Sequence, residues 1–189
     1  MNHIFTIIIL SQIVFSIPLY EVYENAAPMN GYDKYLILER NIIYTGNIGV
    51  YEGNVFIEGN GATIDLEQGN GIWIYSDENY PASIVLEYVS IINSSYFGIS
   101  FSGSAEGIIK NCNFISNDYG ISLYDSSNIE VKNSNFINST TYGIAIYTEI
   151  PICNISYCNF YNNDSADYME NCPGWGNIWT PWVPTPGTG

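Results

Sequence analysis

Gly71-Ile72-Trp73-Ile74 is followed by Gly98-Ile99-Ser100-Phe101, Gly120-Ile121-Ser122-Leu123 and Gly143-Ile144-Ala145-Ile146, four versions of one phrase. The glycines are 98 − 71 = 27, 120 − 98 = 22 and 143 − 120 = 23 residues apart. Within each phrase an apolar position alternates with a small or exposed one, the period-two pattern of a half-buried strand. A strand that returns every ~20–29 residues is the signature of a solenoid.

A second phrase keeps step with the first. Gly107-Ile108-Ile109-Lys110-Asn111-Cys112-Asn113-Phe114 aligns with Ile129-Glu130-Val131-Lys132-Asn133-Ser134-Asn135-Phe136 and with Cys153-Asn154-Ile155-Ser156-Tyr157-Cys158-Asn159-Phe160. A weaker copy precedes them at Ile84-Val85-Leu86-Glu87-Tyr88-Val89-Ser90-Ile91. Each coil therefore holds at least two short strands joined by Asn- and Gly-rich corners. The absence of helical periodicity between them argues against a leucine-rich horseshoe and for a parallel β-helix. Strand parity sorts the inward side chains into four columns. They are Ile72, Ile99, Ile121, Ile144; Ile74, Phe101, Leu123, Ile146; Leu86, Ile109, Val131, Ile155; and Ile64, Ile91, Phe114, Phe136, Phe160. With coils about 4.8 Å apart, like side chains stack on like, each contributing ~1.5–3 kcal/mol when fully buried.

These phrases, with the upstream run Asn54-Val55-Phe56-Ile57-Glu58-Gly59-Asn60-Gly61-Ala62-Thr63-Ile64-Asp65, resemble the right-handed parallel β-helix (pectin-lyase-like) superfamily over roughly residues 35–165. The resemblance implies an all-β fold: a right-handed parallel β-helix of about five coils, with an N-terminal cap and an irregular C-terminal tail. It implies no single activity, because that superfamily includes lyases, hydrolases, epimerases, adhesins and inert repeats.

The remainder of the chain divides around this block. Residues 4–15 are an apolar run too short to span a bilayer comfortably. They suit the core of a secretory leader over residues 1–16, although no Lys or Arg precedes them; an uncleaved anchor is the competing reading. Residues 17–34 are expected to cap the first coil, since an open coil presents an unpaired edge. Residues 166–189 shift to a Pro-, Thr-, Gly- and Trp-rich composition, the mark of a linker or tether. Four basic against nineteen acidic residues, a net charge of −15, exclude nucleic acid and anionic membrane surfaces as partners. Membrane contact is expected only through an uncleaved N-terminal anchor or a missing C-terminal segment.

Several residues have bland readings. Asn111 and Asn133 sit at corners, where asparagine tolerates left-handed φ and can bond the next coil. Lys110 and Lys132 stack in an outward column beneath Glu87, a surface charge ladder. Cys112 and Cys158 share a column two coils apart, about 9–10 Å, beyond the ~7 Å reach of a disulfide; they read as buried thiols. Pairing of Cys153 or Cys158 with Cys172 is left open. His3 is the single histidine, and no zinc-ligand spacing exists.

Function is sought on the outward side of the glycine phrase. Its positions are Gly71, Trp73, Tyr75; Gly98, Ser100, Ser102; Gly120, Ser122, Tyr124; and Gly143, Ala145, Tyr147. Rings separated by small residues can stack on sugar faces while their polar tips bond hydroxyls. Trp73, Tyr75, Tyr124 and Tyr147 are thus candidate carbohydrate contacts. Asp77, Glu78, Asp125 and Glu149 form an acidic fringe that would suit Ca²⁺ if the carboxylates converge; no other cofactor is expected. Four Asn-x-Ser/Thr sequons occur, at Asn93, Asn138, Asn154 and Asn163. The resemblance implies that lyases of this fold pair Ca²⁺-binding aspartates with an Arg or Lys base. It implies that the hydrolases cluster aspartates with a histidine and a basic residue. The strand positions of this face carry none of these. The expectation is a secreted or surface-tethered, non-catalytic module that binds carbohydrate or a cell-surface component. A polysaccharide lyase or related carbohydrate-active enzyme, represented here by a fragment, is the alternative, and a structural spacer is a third reading.

Overall fold

The structure, a computed structural model, describes residues 16–147 and 152–170 and the backbone of 180–182. The expected leader and Glu149 therefore lie outside the described residues, as does Cys172; Ser16, the last residue of the expected leader, opens the first described strand, Ser16–Pro18.

The chain is an all-β parallel solenoid of about six turns. One side is a sheet of six parallel rungs: Gly49–Val50, Ile72–Ser76, Phe97–Gly103, Tyr119–Leu123, Tyr142–Ile146 and Ala166–Glu170. The other sheet begins with the short strands Ser16–Pro18, Lys34–Ile37 and Ile43–Thr45, continues in two long ones, Gly53–Asp65 and Ala82–Ile92, and then splits into two branches. One runs through Asn113–Ile115, Asn135–Ile137 and Asn159–Tyr161, the other through Glu106–Lys110, Asn128–Lys132 and Ile152–Ser156. The register reproduces all four inward columns. Ile72, Ile99, Ile121 and Ile144 pair in succession, and so do Ile91, Phe114, Phe136 and Phe160. The Phe136 ring stacks on Phe114 at 5.0 Å and on Phe160 at 4.9 Å.

The repeated glycine has a packing cause. A Cβ at Gly120 would lie 2.7 Å from the Phe136 ring and 2.4 Å from the Gly143 carbonyl oxygen. Gly98 and Gly143 meet Phe114 and Phe160 in the same way. The two sequence phrases are thus coupled: the glycine of one sheet makes room for the phenylalanine of the other.

Corners follow a local code. Asn111 and Asn133 adopt φ of 55° and 50°, in the left-handed region. Their backbone N–H groups, donating to Lys132 O and Ser156 O, make the links to the next coil. The side-chain ladder that crosses coils sits two residues on: Asn135 donates to Asn113 at 2.7 Å, and Asn113 to Ser90 at 3.1 Å. A second corner alternates Ser94, Asn117, Ser139 and Asn163. The buried Asn117 amide accepts from Ser94 N and donates to Ile91 O, and Asn163 repeats this on Ser139 N and Phe136 O. At the Cys112 column, Cys112, Ser134 and Cys158 each donate to the carbonyl two residues back. Burial pushes the Cys112 thiol up to about 12, so it is an inert core thiol. Glu87 reaches Lys110 at 3.8 Å, and Lys132 lies over the Tyr157 ring.

The two ends of the stack are built differently. The helix Leu19–Asn25 buries Leu19 and Tyr23 against the first coil. At the other end the regular coils continue past residue 165. Ala166–Glu170 pairs in register with Tyr142–Ala145 and turns Tyr168 inward, without a Gly-Ile phrase to announce it. Thr180–Trp182 then adds an antiparallel strand to that rung. Among the described residues no helix is long and apolar enough to cross a membrane.

Candidate functional site

The outward column of the six-rung sheet reads Gly49, Trp73, Ser100, Ser122, Ala145, Met169 from coil to coil. Trp73 and Tyr75 are 44% and 38% exposed, as the parity requires. The small residues beyond them are not open spaces between rings, which corrects the sequence reading. Ser100, Ser122 and Ala145 are all buried, and over the last two coils tyrosines from flanking positions close the face. Tyr119 packs on Tyr142 at 5.7 Å and on Tyr147 at 6.1 Å, and Tyr147 stacks on Tyr124 at 4.6 Å with an interplanar angle of 7°. Rings that stack face to face spend those faces on each other. This half of the face is a closed aromatic layer.

The layer opens at the rung Phe97–Gly103. There Ser100 and Ser102 form the floor of a groove of about 610 Å³. Trp73, Tyr75, Tyr96, Phe97 and Tyr124 line it, together with Asn70 and Asp125. The Trp73 indole N–H donates to Ser102 Oγ at 3.0 Å, which fixes the ring's orientation. Trp73, Tyr75 and Tyr124 therefore line one groove. Tyr147 does not line the groove; it backs Tyr124 from behind. Tyr96, 43% exposed, was missed because it precedes the Gly-Ile phrase. The signal was present: Phe97, Tyr119 and Tyr142 occupy one register position, with Tyr96 beside it.

The described members of the acidic fringe do not gather at one site. Asp125 stands at the groove and accepts from Gly103 N at 2.8 Å. Asp77 lines a different cavity and caps a turn, accepting from Asn79 N and Tyr80 N; Glu78 is exposed. Among the described residues no three His, Cys, Asp or Glu side chains are placed to hold a metal ion. Asp118 accepts from the Thr140 and Thr141 hydroxyls at a corner.

The sequons also separate. The Asn93 amide donates to both Asp65 oxygens at 3.2 Å, and the Asn163 amide serves the corner clamp. Asn138 and Asn154 are exposed; Asn138 presents its carbonyl to Asn162.

A second, larger cavity of about 1220 Å³ lies at the N-terminal end, between the helix Leu19–Asn25 and the corner at residues 77–81. Sequence reasoning gave no hint of it, since its walls come from segments far apart in the chain.

A family model described as a right handed beta helix region matches residues 46–178. No curated protein and no solved structure matches the chain.

Proposed function

The chain belongs to the right-handed β-helix family, and on that premise we propose that it is a non-catalytic module that binds carbohydrate through the Trp73 groove, outside the cell or at its surface. The observation that carries this reading is the opening in the aromatic layer. Three exposed rings, Trp73, Tyr75 and Tyr96, stand around a serine floor on hydrogen-bonded strands. Rings give apolar faces for sugar C–H surfaces, and serine, asparagine and tyrosine tips give directional partners for hydroxyls. Rigid strands hold them without an ordering cost at binding. The apolar leader-like run at residues 4–15 supports the extracellular setting.

The groove's lining argues for binding without turnover. Asp125 is its one carboxylate, and no His, Lys or Arg joins it. Glycoside hydrolysis uses a pair of carboxylates about 5–10 Å apart, and β-elimination needs a positioned base. The test is a glycan array on the purified protein, followed by titration of the hit with Trp73→Ala combined with Tyr124→Ala. Each lost ring contact is expected to cost on the order of 1 kcal/mol, so the pair weakens binding by roughly tenfold or more. Double-variant affinity equal to wild type removes the groove from consideration. Release of unsaturated or reducing-end oligosaccharides, with or without Ca²⁺, overturns the non-catalytic reading in favour of an enzyme.

A further inference from the structure

The N-terminal cavity adjoins the Trp73 groove. Tyr75 lines both, and Tyr51 of the cavity meets Trp73 edge-on with centroids 6.0 Å apart. Gly49 permits this contact, because a Cβ there would lie 2.6 Å from the Tyr51 ring. The cavity is itself aromatic: Tyr20 and Tyr23 come from the helix, and Tyr51, Tyr75 and Tyr80 from the first coils. Its volume exceeds the ~300–1,000 Å³ typical of small-molecule sites.

Charge distinguishes it from the groove. Glu24, Asp33, Glu52 and Asp77 line it against one base, Lys34. Asp33 and Asp77 have structural duties, accepting backbone N–H bonds from Asn54 and from Asn79 and Tyr80. Glu24 and Glu52 are exposed, and the one ion pair within 4.0 Å among the described residues is elsewhere, at Lys110–Glu87. The Lys34 ammonium is held by Tyr23 O at 2.8 Å and sits 4.5 Å from the Tyr23 ring centroid. A cation resting on a tyrosine face is thus already part of this cavity's chemistry. Burial, reinforced by Glu24 and Glu52, pushes the Tyr23 phenol above its ordinary range.

We propose that this cavity extends the Trp73 groove as a subsite for positively charged sugar units, so that the ligand is an oligosaccharide bearing free amino groups, a de-N-acetylated hexosamine chain. Its ring faces lie on Trp73 and Tyr75, and its ammonium groups lie among Glu24, Glu52 and the tyrosine faces of the cavity. The inference rests on the carbohydrate-binding reading and names the ligand class for it. Because the two glutamates are exposed, their contribution is screened by salt.

The test is calorimetric titration of the full chain with a glucosamine hexamer, its fully N-acetylated counterpart, a neutral glucose hexamer and an oligolysine of matched charge. The amino hexamer is expected to bind about tenfold more tightly than the N-acetylated one at low ionic strength. Roughly 0.5 M salt should erase that advantage. Glu24→Gln with Glu52→Gln should erase it too, leaving the neutral hexamer's affinity unchanged, and circular dichroism confirms that this surface variant is folded. Trp73→Ala should weaken all three saccharides. Equal affinity for the three saccharides overturns the charged subsite and leaves the carbohydrate reading standing. Oligolysine binding as tight as the amino hexamer, and indifferent to Trp73→Ala, overturns it in favour of an unspecific polycation surface. Failure of every saccharide to bind overturns both readings.

Discussion

The coil that carries Ser122 and the coil that carries Ser100 present the same outward column and bury both serines, yet the tyrosine rings beyond Ser122 stack on one another while those around Ser100 leave a groove. The difference lies in the neighbours one coil away. Beyond Ser122 stand Tyr142 and Tyr147, which lean inward over small side chains. Before Ser100 stand Trp73 and Tyr75, and Trp73 is held upright by Ser102. In a solenoid, parity therefore sets the direction of a side chain, and the adjacent coils decide how the rings around it pack.

Both halves stand on one core, and its loss should be the largest effect. Phe136→Ala removes a ring sandwiched between Phe114 and Phe160. It is expected to cost ~3–5 kcal/mol in chemical denaturation; an unchanged midpoint would mean that the stacking register is wrong. A pH effect acts on the same core. The Cys112 thiol is raised from 9.0 to about 12 in the folded chain, so the stability it contributes is complete below about pH 9 and is lost as pH climbs toward 12. Cys112→Ser, which places there the residue found at Ser134, should flatten part of that decline; a profile identical to wild type would contradict it.

Smaller effects separate the two halves directly. Ser122 Oγ is buried and makes no hydrogen bond, so Ser122→Ala should be neutral or stabilising by up to about 1 kcal/mol. Ser102→Ala should instead cost roughly 0.5–1.5 kcal/mol by releasing the Trp73 indole. Paired denaturation curves check the opposite signs. In binding, Tyr75→Ala should weaken the saccharide several-fold. Tyr147→Ala should change affinity less and stability more, because Tyr147 belongs to the closed layer.

The inward half of this architecture was legible because a repeat fixes register. Once Ile72, Ile99, Ile121 and Ile144 are aligned, every inward column follows. The glycine's role was not legible, since it depends on a phenylalanine ring from the other sheet. Nor was the sixth rung, whose Tyr168 keeps the parity but not the phrase. For the candidate groove, the outward placement of Trp73, Tyr75 and Tyr124 followed from parity alone. Tyr96 and the sealing of Ser122 were missed, because both arise from ring orientations across coils. The N-terminal cavity needs the helix, Tyr51 and the turn capped by Asp77 to meet in space, and no local spacing encodes that meeting.

Amide chemical-shift mapping with a bound neutral oligosaccharide tests the contrast between the two halves most directly. The open-groove account expects perturbations at residues 73–75, 96–102 and 124, with Ser122 and Ala145 unmoved beneath their rings. Shifts centred on residues 142–147, or spread evenly along the outward column, would contradict it.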